Sequence, residues 1–225
     1  MIDTLLEKNW IPDLLIRSQI RRLNQRRLKS EAQKHANGYK AELVKELKSS
    51  PIAIETIAAN DQHYEVPPEF FERCLGKHLK YSCCYWPNGV SNLDQAESSM
   101  LELTCERADI KDGQTILELG CGWGAISLWM AEQYPNSKIL SVSNSNDQRK
   151  FIETTAAQRG LQNLQVQTCD MNSFETDQTF HRVVSVEMFE HMKNYDELLR
   201  RINKWLNLEG KLFVHIFSTS DLRVP

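Results

Sequence analysis

The sequence has no long uninterrupted apolar run. None of its hydrophobic segments approaches the roughly 18 residues that a membrane-spanning helix needs. Acidic residues stand near the N-terminus, and no apolar run there ends at a small-residue cleavage site, so a secretory signal is not expected. These absences favour a cytoplasmic protein.

The chain also lacks an excess of positive charge and the cysteine spacing of a zinc site. A formal net charge of −3 gives no general attraction to nucleic acid, so we do not expect a nucleic-acid partner. The six cysteines are scattered without C-x-x-C pairs. We therefore expect reduced thiols and no metal ligands.

The N-terminal part of the chain is highly charged and has no strand pattern. Between Asp13 and Lys34, seven basic residues stand against two acids, and apolar residues recur near helical spacing. Two interpretations stay open: a solvated helix packed on its own core, or a basic amphipathic surface that contacts anionic lipid headgroups. We expect residues 1–75 to form a helical extension and residues 76–225 to form the main domain.

From Thr115 onward, apolar strands alternate with amphipathic helices, as is typical of an α/β protein with a doubly wound parallel sheet. The predicted strands are 115–119, 138–142, 164–168, 182–187 and 211–217. The predicted helices run from about Trp123 to Tyr134, from the Ser145 cap to Gln158, and from the Asn194 cap to Gly210. Gln148 stands at the spacing of a capping box with Ser145.

A glycine-rich turn follows the first predicted strand. Gly120, Gly122 and Gly124 allow a positive φ and a close backbone approach to a ligand, and Glu118 precedes them by two residues. A nicotinamide cofactor is disfavoured because its fingerprint is G-x-G-x-x-G with an acid about 20 residues later, where this chain has none. Asp170 follows the third strand and adds a polar group at the same edge of the sheet.

Several motifs together resemble the cyclopropane-fatty-acid synthase superfamily, within it the coclaurine N-methyltransferase-like branch. They are His63-Tyr64-Glu65, Lys80 to Trp86, Cys105-Glu106-Arg107, Leu119 to Gly124, Ser143-Asn144-Ser145 with Gln148, and Val186 to Tyr195. The resemblance implies a Rossmann-like class I methyltransferase fold and S-adenosylmethionine as cofactor. It also implies cofactor contacts by Tyr81, Ser82, Gly120, Asn144, Gln148, Asp170 and Met171, to which the glycine turn adds Glu118, Gly122 and Gly124.

Glu187, Glu190 and His191 lie at the end of the fourth predicted strand, on the same edge of the sheet as the glycine turn. An aliphatic amine has a pKa of about 10, so a base must take its proton before it can accept a methyl group. A carboxylate beside an imidazole suits that task, and these three residues are the expected catalytic group. In cyclopropane synthases, by resemblance, a bound bicarbonate is the base, held by residues that correspond to Cys83, Glu190 and His215.

The leading prediction is methyl transfer to a small amine. One alternative is methylene transfer to an unsaturated phospholipid acyl chain, with the basic N-terminal helix as a peripheral membrane contact. Another is a non-catalytic domain that binds the cofactor or a partner. The family continues beyond the fifth strand, so the chain resembles a shortened member, and we expect its fifth strand to present an unpaired edge. The sequence does not indicate the oligomeric state.

Overall fold

The computed structural model describes residues 2–36, 39–54 and 68–217. Its contacts divide the chain into two compact units, one containing Met1–Leu47 and the other formed by Lys48–Phe217. The motif His63-Tyr64-Glu65 and the final residues 218–225 lie outside the described ranges. The expected domain division between residues 75 and 76 stays a prediction.

The N-terminal residues are helical, as predicted. Helix α1 spans Ile2–Glu7, α2 spans Asp13–Ala36, and α3 spans Tyr39–Ser49. In α2 the apolar side chains do not share one face, because Leu14 and Leu23 lie nine residues apart and therefore point to opposite sides, and both are exposed. The expectation of one apolar face is wrong. No helix in the described part of the chain is long and apolar enough to cross a bilayer.

The second unit is a five-stranded parallel sheet with helices on both faces, which confirms the predicted fold class. The sheet order is β3-β2-β1-β4-β5, so the chain reverses its direction of travel between β1 and β4. The elements are α4 (Pro68–Cys74), α5 (Leu93–Arg107), β1 (Thr115–Leu119), α6 (Ala125–Gln133), β2 (Lys138–Ser143), α7 (Asn146–Gln158), β3 (Leu164–Thr168), β4 (Phe180–Val186), α8 (Tyr195–Trp205) and β5 (Leu206–His215).

Alternate residues of the central strand β1 face opposite helical layers. Ile116 packs with Leu101 of α5 and Met130 of α6, and Leu117 packs in the cluster that contains Trp205 of α8. All five side chains are almost fully buried. Because both faces are covered, the strands read as nearly continuous apolar runs in the sequence.

Side-chain caps begin two of the helices at the predicted residues. Ser145 accepts a hydrogen bond from the Gln148 backbone N–H at 3.3 Å, and Asn194 accepts one from Glu197 at 3.1 Å. The reciprocal arm of the predicted capping box is absent. The Ser143 hydroxyl instead accepts from the Ser145 backbone N–H at 3.0 Å and donates to the Gln148 side-chain oxygen at 2.6 Å.

The connection between α8 and β5 differs from the prediction. The helix does not extend to Gly210 but ends at Trp205, and β5 begins at the next residue. Gly210 lies within β5, where the pairing with β4 shifts register. A Cβ at Gly210 would lie 2.8 Å from the carbonyl oxygen of Phe180, so glycine is needed there for a close backbone approach. Among the described strands, β5 pairs with β4 alone, and the expected edge is confirmed.

A short segment after α3, which includes Ile52 and Ala53, bonds to loops at the carboxyl ends of the strands. Ala53 forms an antiparallel bridge with Met192, and the Lys193 backbone N–H donates to the Ile52 carbonyl oxygen at 2.7 Å. The Asn172 side chain pairs with both backbone groups of Ala53 at 3.0 Å, as a neighbouring strand would. The segment is therefore fastened to the loops that follow β3 and β4.

Candidate functional site

A cavity of about 290 Å³ lies at the carboxyl ends of the central strands. Its wall includes Gly120 after β1, Asn144 after β2, Asp170 after β3 and Glu187 after β4. Strand order reverses between β1 and β4, and this switch point is where open α/β sheets bind their ligands. The fold therefore places the predicted polar groups around one space.

The glycine turn forms part of that wall. The backbone N–H groups of Gly120 and Cys121 donate to the Val142 carbonyl oxygen at 3.0 and 3.1 Å, which fixes the turn on the end of β2. Gly122 has φ +52°, and a Cβ there would meet no atom within 4 Å, so its backbone is open to a ligand. A Cβ at Gly120, which has φ +83°, would collide with Met188 at 2.7 Å.

Gly124 does not lie at the cofactor site, where the sequence predicted it. It has φ +83° and does not line the cavity, unlike the other nine residues expected to contact the cofactor. A Cβ there would lie 2.6 Å from Ile152, which is fully buried on α7. The third glycine thus allows α6 to begin close to α7.

Glu118 is a buried carboxyl group beneath the turn. Its side chain is 2% exposed and accepts hydrogen bonds from the hydroxyl groups of Ser127 and of Ser141, the latter at 2.7 Å. Burial raises the pKa of Glu118 to about 7, although the two hydroxyl groups act in the opposite direction. The group can therefore exchange a proton near neutral pH.

Polar atoms without partners point to a ligand at the cavity. Gln148 lines it and is 2% exposed, yet the Nε2 atom of its side chain has no hydrogen-bond partner among the residues that the structure describes. Within the same residues, Oε2 of Glu190 is likewise buried and unpartnered. Because such groups are costly when left unsatisfied, one free donor and one free acceptor fit a polar ligand that supplies both bonds.

The segment before α5 forms another side of the cavity, through Lys80, Tyr81 and Ser82. Glu97 of α5 fixes this segment, because its fully buried carboxylate accepts from the backbone N–H groups of Gly76 (2.9 Å), His78 (2.8 Å) and Lys80 (3.1 Å). Sequence reasoning missed Glu97, since nothing in the sequence marks an acid on α5 as a receptor for backbone N–H groups.

The Lys80 side chain is nearly buried and donates to the hydroxyl of Ser82. Burial lowers the pKa of this lysine, and the neighbouring thiols and acids act in the opposite direction. Lys80 stands in one of the motifs that carry the family resemblance, but the sequence predicted no role for its side chain.

The three predicted catalytic residues all line the cavity. Glu187 has φ +53°, rare for a residue with a side chain, and its backbone N–H donates to the His215 carbonyl oxygen at 2.7 Å. Oε1 of Glu190 accepts from the Phe217 backbone N–H at 3.0 Å. His191 ends a short 3₁₀ turn, Phe189–His191, and is exposed.

Cys83 and His215 meet beside Glu187. The Cys83 sulfur lies 3.7 Å from the Nε2 atom of His215, and the Cys83 backbone N–H donates to Oε1 of Glu187 at 3.3 Å. Burial raises the pKa of the Cys83 thiol, and the Glu187 charge adds to that shift. Of the bicarbonate set implied by resemblance, Cys83 and His215 are thus brought together, and the acid grouped with them is Glu187 and not Glu190.

The sheet order, the cavity at the switch point and the glycine turn define a Rossmann-like protein with the class I methyltransferase fold. The chain belongs to the family described as mycolic acid cyclopropane synthetase, whose sequence profile matches residues 53–223. The resemblance noted in the sequence is thereby confirmed.

Two curated relatives indicate the range of the family. The (S)-coclaurine N-methyltransferase of Thalictrum flavum subsp. glaucum is 43% identical over 212 residues, which are 93% of this chain and 59% of that protein. The cyclopropane-fatty-acyl-phospholipid synthase of Escherichia coli strain K12 is 34% identical over 167 residues, which are 72% and 42% of the two chains. The chain thus spans well under two thirds of the length of these relatives.

A solved structure agrees with the sequence relationship. Coclaurine N-methyltransferase bound to N-methylheliamine and SAH matches this chain with a TM-score of 0.86 and 39% identity. The match covers 94% of this chain and 62% of the other. The fold of that relative therefore extends over nearly all of this chain.

Proposed function

We propose that this chain binds S-adenosylmethionine and transfers its methyl group to the nitrogen of a small amine. The observation that carries the proposal is the shared cavity, which Glu187, Glu190 and His191 line together with residues of the glycine turn. The relatives that act as N-methyltransferases support the choice of nitrogen as the acceptor atom.

The cofactor would be held by the residues that line the cavity. They are Tyr81, Ser82, Glu118, Gly120, Gly122, Asn144, Gln148, Asp170 and Met171. Gln148 offers its unpartnered Nε2 donor, and the open backbone at Gly122 allows close approach. Two carboxylates, Asp170 and Glu187, favour a cationic ligand over a neutral one.

The bound cofactor would supply an electrophilic methyl group on a positively charged sulfur. Glu187 and Glu190 would attract the protonated amine and hold its nitrogen in line with that methyl group, and alignment accounts for much of the rate gain in such reactions. A carboxylate of this pair, or His191, would accept the amine proton and leave the nitrogen lone pair free to attack.

Binding and turnover test the proposal separately. Calorimetry with S-adenosylhomocysteine should give one site per chain, and a labelled methyl group should pass to coclaurine but not to phospholipid vesicles. Glu187→Gln should reduce turnover by at least about 100-fold, the usual contribution of a proton-transfer group. Glu209→Gln, which changes an exposed acid on β5, is the matched control and should leave turnover unchanged.

Three outcomes would contradict parts of the proposal. Absence of S-adenosylhomocysteine binding would overturn the cofactor assignment. Label only in the lipid fraction would assign the chain to acyl-chain methylene transfer. Binding without turnover on a panel of amines and lipids would identify a non-catalytic cofactor-binding domain.

We also propose that α2 makes a peripheral contact with anionic membranes. Its excess of basic residues supports this contact, because charge attracts such a helix to anionic headgroups without a single apolar face. Sedimentation with phosphatidylserine vesicles should remove the protein from solution at low salt, and with phosphatidylcholine vesicles it should not. Equal sedimentation with both lipids would contradict a contact based on charge.

We further propose a cytoplasmic location. Six free cysteines support a reducing compartment.

We also propose a functional division of the chain into residues 1–75 and 76–225. Two residues that line the proposed cofactor site, Ala53 and Ile54, belong to the first part. The other lining residues run from Leu79 to Met192 and belong to the second part.

A further inference from the structure

Cys83, Glu187 and His215 form a three-residue cluster beside the proposed methyl-transfer site. One ligand atom from each residue lies within 4.8 Å of the other two. Glu187 and His215 follow or end neighbouring strands, and the hydrogen bond between their backbones fixes their spacing. The sheet therefore holds two of the three residues, and Cys83 reaches them from the loop before α5.

We infer that this cluster is a binding site for a divalent transition-metal cation of the zinc class. Thiolate, imidazole and carboxylate are the three ligand types that zinc takes in its open sites, where the fourth position is left to water or substrate. With zinc–sulfur and zinc–nitrogen bonds of about 2.3 and 2.0 Å, a tetrahedral site separates sulfur from nitrogen by about 3.5 Å. The 3.7 Å between Cys83 Sγ and His215 Nε2 is close to that separation.

The carboxylate determines which kind of ion the cluster accepts. An anion between Cys83 and His215 would meet the negative charge of Glu187, whereas a cation would be stabilised by it. Lys80 opposes the cation, but burial lowers its pKa, and its ammonium group donates to Ser82. Cys83 is exposed, so an ion can reach the site from solvent.

Metal binding has to remove a proton from the thiol. A thiolate is the form that coordinates zinc, and binding must therefore release one proton. Zinc affinity should increase with pH.

Zinc binding should also affect methyl transfer, and this expectation rests on the proposed function. A carboxylate engaged by zinc is no longer free to attract an amine or accept its proton. Zinc should therefore inhibit methyl transfer reversibly, and a chelator should restore the activity. Metal binding itself does not require that the chain be a methyltransferase.

Direct metal titration of the full 225-residue chain tests the site. Calorimetry in the presence of a phosphine reductant should show one zinc ion per chain, and Co²⁺ should produce a thiolate-to-metal charge-transfer absorption. Cys83→Ser and His215→Gln should each lower zinc affinity by at least about tenfold and abolish or weaken that absorption. Cys84→Ser changes the adjacent thiol, which is outside the cluster, and should keep both signals.

Circular dichroism of each variant checks that the fold is retained, and His215→Gln provides a second variant if Cys83→Ser does not fold. Absence of zinc binding in the unaltered chain would overturn the inference. So would binding that is equally strong in Cys83→Ser and His215→Gln, because the ion would then occupy another site. A chain that binds zinc through Cys83 but transfers no methyl group would support the metal site and contradict the proposed function.

Discussion

At the scale of single residues, Glu118 introduces a pH dependence into the stability of the folded chain. Its folded pKa of about 7 lies above the ordinary 4.5, so the folded state binds more protons between these values. Stability contributed by this group is therefore present below pH 4.5 and is lost as the pH rises through 7. The loss is on the order of 3 kcal/mol, since one pKa unit corresponds to about 1.4 kcal/mol.

Glu118→Gln should remove this dependence, because a neutral amide can still accept bonds from Ser127 and Ser141. We expect the variant to be more stable than the unaltered chain at pH 8 and about equally stable at pH 4.5. Urea unfolding at the two pH values measures the difference. Parallel stability profiles for the two proteins would show that Glu118 does not titrate in this range.

Alanine substitutions at Gly124 and Gly160 distinguish the cost of overpacking from the cost of backbone strain. Both have positive φ, but a Cβ at Gly124 would collide with Ile152, whereas at Gly160 it would meet nothing within 4 Å. Gly160→Ala should cost about 1 kcal/mol from strain alone, and Gly124→Ala about 3 kcal/mol from strain and overpacking together. Chemical denaturation provides both values, and equal losses would contradict the packing role of Gly124.

At the scale of elements, Asn194 both begins α8 and anchors the segment that precedes Ile52. Its side-chain oxygen caps the helix, and its Nδ2 donates to the carbonyl oxygens of Lys48 and Ser50 at 2.9 Å. Asn194→Ala should destabilise the second unit by about 2 kcal/mol, the sum of a lost cap and lost hydrogen bonds.

Asn194→Ser is the matched variant, because serine keeps the cap and cannot reach the two carbonyl oxygens. It should lose about half as much stability as the alanine variant in the same thermal or urea experiment. If the serine and alanine variants are equally unstable, the cap contributes little and the anchor dominates.

Elements defined by local chemistry were predictable from the sequence. Strand β3 has the predicted bounds, and the caps at Ser145 and Asn194 are where their spacing placed them. Gly210 was misassigned because a glycine that ends a helix and one that approaches another backbone look alike in a sequence. Only the position of the Phe180 carbonyl oxygen distinguishes them.

The site was predictable only in part, for a related reason. Residues next to strand ends, such as Asn144 and Asp170, could be placed from the topology rules of parallel sheets. Glu97 could not, because the backbone N–H groups that it accepts from lie 17 to 21 residues away in the sequence. Cys83 and His215 are 132 residues apart and no spacing rule joins them, so only the family resemblance could place them at one site.

At the scale of the whole molecule, the two compact units should differ in their importance for the cofactor. Within the described part of the chain, the residues that line the cavity all lie between Lys48 and Phe217. A chain that begins at Lys48 should therefore bind S-adenosylhomocysteine within about twofold of the full chain, the range expected for distant sites. Calorimetry on both chains measures this ratio, and a loss of more than tenfold would assign residues 1–47 a role in the site.

The sheet order β3-β2-β1-β4-β5 also bears on how the protein is made. During synthesis β1 emerges first and becomes the centre, β2 and β3 then add on one side, and β4 and β5 add on the other. Each newly made strand finds its hydrogen-bonding neighbour already present on an open flank, and none has to be inserted between two strands that have paired. The ribosome thus delivers the strands in an order in which the sheet can grow outward without undoing earlier pairs.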